Sequence, residues 1–280
     1  MLTMKNKKEL IKQMRVTTIF GYSLFVVTVV SIFISTVIPF SMLLLNPAVK
    51  HANVILLLFV LVAGSLLPPL FGYFAGDRAT KTKNKLTHHY NGVLFGIASY
   101  WLYYLFSFFG GLVYSQIEKL GFVANQVLNF LPVVLISCIL ILIAIAYAKK
   151  GKAQPSLLHF RPFQIILIVP AITVIAYSAF FVIMSVATNG INSTSVYFAM
   201  SSLLPVILLP VSYKILSQRK DAKSTGKSRA VVAVSMGMIA ATVFGQTITY
   251  ITPSYEVYTV LYPIVILVAW VSYVLLVKSK

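Results

Sequence analysis

The sequence predicts an all-α integral membrane protein: a polytopic bundle of eight transmembrane helices, both termini cytoplasmic, without a soluble domain. Three observations predict it. Of the 280 residues, 59% are hydrophobic and only 10% charged, whereas soluble domains run at roughly 45–50% and about 25%. Eight apolar stretches each approach the ~20 residues needed to cross ~30 Å of hydrocarbon. The connections between them are alternately rich and poor in Lys and Arg.

The stretches cover about 16–40, 53–75, 91–114, 126–148, 164–187, 196–216, 230–251 and 257–277, so 1–280 reads as one membrane-embedded domain. The first follows MKNKKELIKQMR, a basic start that a signal peptide would share. Its apolar part runs from Val16 to Leu45 with no clear A-x-A site after it, well beyond an h-region of about 7–15 residues. We read it as a retained span.

The charges orient these spans. Lys5, Lys7, Lys8, Lys12 and Arg15 precede the first, and Arg78, Lys81, Lys83 and Lys85 join the second to the third. Lys149, Lys150, Lys152 and Arg161 join the fourth to the fifth. Lys214, Arg219, Lys220, Lys223, Lys227 and Arg229 join the sixth to the seventh, and Lys278 and Lys280 end the chain. Only Lys50 and Lys119 fall on the opposite side. Cytoplasmic connections carry the Lys/Arg excess, which puts both termini inside, and the bacterial cytoplasmic membrane is the expected location. A net charge of +18 would suggest nucleic acid in a soluble protein. Sorted to one side of a membrane it suggests none, and anionic lipid headgroups are the expected partners, at ~1 kcal/mol per cation near the surface.

One basic connection imitates a nucleotide site. RKDAKSTGKSRA, residues 219–230, ends in Gly226-Lys227-Ser228, the tail of the phosphate-binding G-x-x-x-x-G-K-[ST] loop. Asp221 stands where the first glycine belongs, and the preceding LLPVSYKIL is a span rather than a soluble strand. No cofactor is expected there. GYFAGDRATKTKNK, 72–85, partly resembles the G-x-x-x-D-R-x-G-R-R loop of major facilitator transporters. Gly72 is one residue too far from Asp77-Arg78, no glycine follows, and eight spans are too few. We read an Asp-Arg pair at a helix end and assign no family.

Catalytic and metal-ligating sets are also missing from the pattern. His51, His88, His89 and His159 lie in or near connections, as do Glu9, Asp77, Glu118, Asp221 and Glu256. Mid-membrane ionisable groups mark proton relays and ion paths, and none is seen. His88-His89 reads as interfacial polarity. Cys138, the one cysteine, lies in an apolar run and reads as a small buried hydrophobe. The sequon at Asn192 sits in a short loop close to the membrane.

Three features mark the spans. Ala233, Gly237, Ala241 and Gly245 recur every four residues in the seventh span, a stripe of small residues that suits close helix packing in lipid. Tyr100, Tyr103 and Tyr104 share a broad face mid-way along the third, where an aromatic-lined cavity could also recruit Gln246. Prolines interrupt the second span at Pro68 and Pro69 and the sixth at Pro205 and Pro210, with Ser65 and Ser202 three residues earlier. SLLP recurs at an offset of 137 residues, and Pro132 and Pro263 are 131 apart. These offsets suggest a 4+4 parallel internal repeat. The candidate cavity-lining residues are Ser65, Pro68, Pro69, Tyr100, Tyr104, Ser202, Pro205, Pro210 and Gln246.

Three functional classes follow. Broken helices in corresponding halves point first to a transporter or permease-type subunit, for an apolar or amphipathic substrate, with a separate ATPase subunit on the basic loops as an energy source. A non-enzymatic membrane partner (immunity, sensory or assembly protein) is second. A lipid-modifying enzyme is third, because clustered carboxylates for Mg²⁺ are lacking.

Overall fold

The structure, a computed structural model, describes residues 4–44, 51–114, 122–150, 157–217, 223–249 and 255–278. Among them are eight α-helices, one 3₁₀ turn and no strand: α1 Met4–Leu44, α2 His51–Ala79, α3 Lys85–Tyr114, α4 Phe122–Lys149, the turn Leu157–His159, α5 Arg161–Asn189, α6 Ser193–Leu216, α7 Lys223–Thr249 and α8 Tyr255–Lys278. Six helices contain described segments long and apolar enough to cross a membrane.

Several helices outrun their apolar stretches. α1 has 41 residues, about 61 Å at 1.5 Å per residue, because the polar start KNKKELIKQM holds good helix formers and neither Gly nor Pro. α3 begins at Lys85 because the Asn84 side chain accepts the Leu86 amide at 3.0 Å, occupying one of the donors that open every helix. Pro162 stands in the first turn of α5, where its missing N–H costs nothing. Gly190, at φ 69°, ends that helix with its N–H on the Val186 carbonyl. Asn192 and Ser195 then cap α6 reciprocally, so the sequon's asparagine is already engaged with backbone.

The chain packs as two compact units, Val26–Ala153 and Met1–Phe25 with Gln154–Lys280. In the first, α2 packs on α3 and α4, and α3 on α4. The α2–α3 seam is built on glycine. A Cβ at Gly72 would stand 2.5 Å from the Phe95 carbonyl oxygen, and one at Gly76 2.6 Å from that of Asn91. On α3, a Cβ at Gly92 would meet the Tyr73 ring at 2.7 Å, and one at Gly96 the Pro69 carbonyl at 3.3 Å. Two facing G-x-x-x-G pairs thus bring backbones together, as small-residue seams do in lipid. The same seam holds a polar chain: Asn91 donates to Thr80 Oγ1 at 3.0 Å, and Thr80 donates to the Gly76 carbonyl at 2.8 Å. Tyr147 of α4 hydrogen-bonds the Asn91 side chain. Cys138 is exposed on α4 rather than buried, since the buried positions there are Val133, Ile136, Leu140, Ala144 and Tyr147, one helix face apart from it.

In the second unit, α6 packs on α5, α7 and α8, and α7 on α5 and α8. α7 is the most enclosed helix of this unit, with an unbroken buried run from Ala230 to Ile239. The N-terminal half of α1 belongs here. Thr17 donates to the Gln13 carbonyl, so its 2.9 Å contact with Tyr273 takes its proton from the tyrosine, and Phe20 meets that ring edge-on. The connection into α5 is folded inward: Leu157, Leu158, Phe160 and Phe163 are all buried. Apolar side chains at four positions there outweigh the cations around them.

Candidate functional site

α6 turns a polar, proline-containing stripe inward: Ser201, Ser202, Pro205, Leu208 and Ser212 are buried, while Pro210 is exposed. Pro205 lacks the N–H that would have served the Ser201 carbonyl one turn earlier. Ser202, three residues before Pro205, does not relieve that loss. Ser202 donates to the Ala199 carbonyl at 3.1 Å and Ser201 to that of Phe198 at 3.0 Å. Each hydroxyl reaches back three residues to a carbonyl other than the one that Pro205 frees. One turn on, Trp270 of α8 donates to Ser212 Oγ at 2.7 Å, and Ser212 donates to the Leu208 carbonyl at 2.6 Å. The indole N–H is thereby served inside an otherwise apolar interface, which an indole requires when buried.

In the other unit Pro68 and Pro69 are buried in α2, and Tyr100 is buried in α3. The Tyr103 hydroxyl packs over Gly64, 3.0 Å from where a Cβ would stand. Gly64 is the residue whose carbonyl loses its helical partner to Pro68. The side chains of Ser65, Tyr104, Gly245 and Gln246 lie outside the described ones, so their part in any cavity stays with the sequence reading.

The α7 stripe is a contact face: Ala233 and Ala241 are buried, and a Cβ at Gly237 would meet the Ile266 carbonyl of α8 at 3.0 Å. The nucleotide-like tail has structural employment. Gly226 is closed in by Ser217, with 2.7 Å to a Cβ that an alanine would add. Ser228 is buried and donates to the Leu158 carbonyl at 3.0 Å, which also accepts from Gln164 at 2.7 Å. Lys227 is exposed. Asp221 lies outside the described residues.

Two arrangements escaped sequence reasoning. Tyr177 and Phe181 of α5, Tyr197 and Phe198 of α6 and Tyr262 of α8 form a connected aromatic layer, with centroid separations of 4.4, 5.1, 5.2 and 5.3 Å along it. Thr259 donates to the Ser193 carbonyl beside it. The other is the α2–α3 glycine seam, whose signal, G-x-x-x-G at 72–76 and again at 92–96, was legible. Among the described residues no cluster of three or more His, Cys, Asp or Glu is placed to hold a metal ion.

Comparison with protein-family models, with curated proteins and with solved structures finds no match. The class therefore rests on the helices themselves, which are compatible with a multi-pass membrane protein.

Proposed function

We propose that the chain is an eight-span transporter or permease-type subunit of the bacterial cytoplasmic membrane, both termini inside, handling an apolar or amphipathic substrate. The observation that carries this reading is a continuous helix with two internal prolines in each unit: α2 with Pro68 and Pro69, α6 with Pro205 and Pro210. α2, α3 and α4 pack mutually, and so do α6, α7 and α8. That correspondence supports the parallel 4+4 repeat, as two copies with an even number of spans keep one orientation. α2 and α3, with 29 and 30 residues, have length to spare for a span and bring the six apolar helices to eight.

Each internal proline leaves one backbone carbonyl without its helical donor where lipid offers no water to satisfy it, and such pairs of helices in corresponding halves are a pointer to a transporter's site. The substrate-facing candidates are Ser65, Pro68, Pro69, Tyr100 and Tyr104 in one unit and Ser202, Pro205 and Gln246 in the other; Pro210, also a candidate from the sequence, is exposed. They include no charged group, hence the apolar or amphipathic cargo. The basic connections suit anionic headgroups and a separate ATPase subunit.

The test is reconstitution into vesicles with a fluorescent phospholipid and an amphipathic dye, alone and with single cysteines at 65, 68, 202 and 205 in a Cys138→Ser background. Protein-dependent movement of either probe, blocked by water-soluble thiol reagents at matching positions of α2 and α6, supports the proposal. No movement, with all four positions protected, refutes it and favours a partner role.

A further inference from the structure

His88 and His89 are adjacent on the first turns of α3, yet their partners differ in kind. His89 Nδ1 lies 2.7 Å from the Tyr73 hydroxyl. A hydroxyl both donates and accepts, so this bond survives whether or not that nitrogen bears a proton. His88 Nδ1 is 2.9 Å from Asp77 Oδ1, and its Nε2 is 2.5 Å from the Thr82 carbonyl. A carbonyl only accepts, and so does an ionised carboxylate. Both nitrogens of His88 must then donate, whereas neutral imidazole has one N–H. The pair thus holds one proton more than a neutral ring beside a carboxylate, and placing that proton on the Asp77 oxygen leaves the count unchanged.

We infer that the α2–α3 turn is a proton-binding clasp, in which the proton shared by His88 and Asp77 ties the end of α2 to Thr82 and its loss opens one of the two bonds. Water reaches the pair, the side chains being 29% and 36% exposed. Imidazole is the group that changes charge between pH 5 and 8. The charged and titratable neighbours on the surrounding elements are Tyr73 and Arg78 of α2, Lys81 and Lys83 in the turn, Lys85, His89 and Tyr90 of α3, and Tyr147, Lys149 and Lys150 at the end of α4. Asp77 is the one acid among the described residues of this unit. Beneath the clasp, the Asn91–Thr80–Gly76 chain uses no titratable group. Opening therefore frees the turn while the helix ends stay together. This inference is independent of the transport proposal.

The test uses the full chain in lipid nanodiscs with ¹⁵N-labelled histidine, His88 being identified by the signal lost in His88→Gln. Ring ¹⁵N shifts and hydrogen exchange of amides 80–84, corrected for the intrinsic pH dependence of exchange, are followed from pH 5 to 8.5. We expect a doubly protonated His88 at low pH, losing one proton as pH rises. Exchange in the turn should accelerate over the same interval by on the order of tenfold, the effect of losing one hydrogen bond to a charged group. Asp77→Asn should stay protected across the range, because a carboxamide can donate to unprotonated Nδ1 while Nε2–H keeps Thr82. His89→Gln should leave the profile in place. A singly protonated His88 throughout, pH-independent exchange, or loss of protection in Asp77→Asn at every pH would each overturn the clasp.

Discussion

Replacing Gly72 with alanine puts one methyl where α2 and α3 touch. Its Cβ would stand 1.8 Å from Ser99 Oγ and 2.5 Å from the Phe95 carbonyl oxygen. Ser99 can rotate away, at the cost of its own 2.6 Å bond to that carbonyl. The carbonyl cannot, because it belongs to the α3 backbone, so the helices must part by about 1 Å to restore an ordinary contact. Overpacking of this kind costs ~1–3 kcal/mol, and a backbone obstacle puts it near ~3. Alanine returns ~1 kcal/mol as the better helix former. The net loss is then ~2 kcal/mol, roughly thirtyfold in the folding equilibrium. Gly96→Ala is the matched comparison. Its Cβ would lie 3.3 Å from the Pro69 carbonyl, a tight contact that a shift of a few tenths of an ångström relieves, so the variant should lose clearly less stability than Gly72→Ala. Reversible unfolding in mixed detergent–SDS micelles reads both. Equal stabilities, or Gly96→Ala the weaker, would refute the seam.

Reporter fusions after Lys85, Lys152 and Lys223 should report the cytoplasm, and fusions near Lys119, Asn192 and Ser254 the outside; one connection on the wrong side breaks the eight-span topology. Gly237→Leu should destabilise the chain by more than ~2 kcal/mol through the Ile266 backbone, while exposed Phe244→Leu changes melting little; similar melting of the two would move the α7–α8 contact elsewhere. Ser228→Ala should cost ~0.5–1.5 kcal/mol through its bond to Leu158, with Lys227→Ala neutral. Saturable ATP binding that Lys227→Ala abolishes would restore the nucleotide reading.

The all-helical fold was legible because apolar runs near 20 residues have few alternatives in lipid. Where helices begin was not, since the polar starts of α1, α3 and α7 extend into residues that hydropathy counts as loop. The α7 stripe was read from spacing alone, and Gly237 sits where that spacing implies. Val243, two positions from Ala241 and so off the visible stripe, is nevertheless fully buried, because α7 is enclosed on more than one side. The α2–α3 seam was missed since Gly72 was weighed only against a loop motif. Contacts such as Trp270–Ser212 and Tyr103–Gly64 depend on how helices rotate against one another, which one chain's periodicity does not encode.

The Thr17–Tyr273 bond has a consequence in time. Its partners are 256 residues apart, and ribosomes add about 5–20 residues per second. Thr17 in α1 thus waits roughly 13–50 s for Tyr273 of α8 to be made. The unit Val26–Ala153 is contiguous and can assemble during that interval, while its sibling stays open at both ends. Quality control acting on nascent chains would meet a finished half joined to an unfinished one, and a stop codon before Tyr273 would leave that second half permanently unclosed.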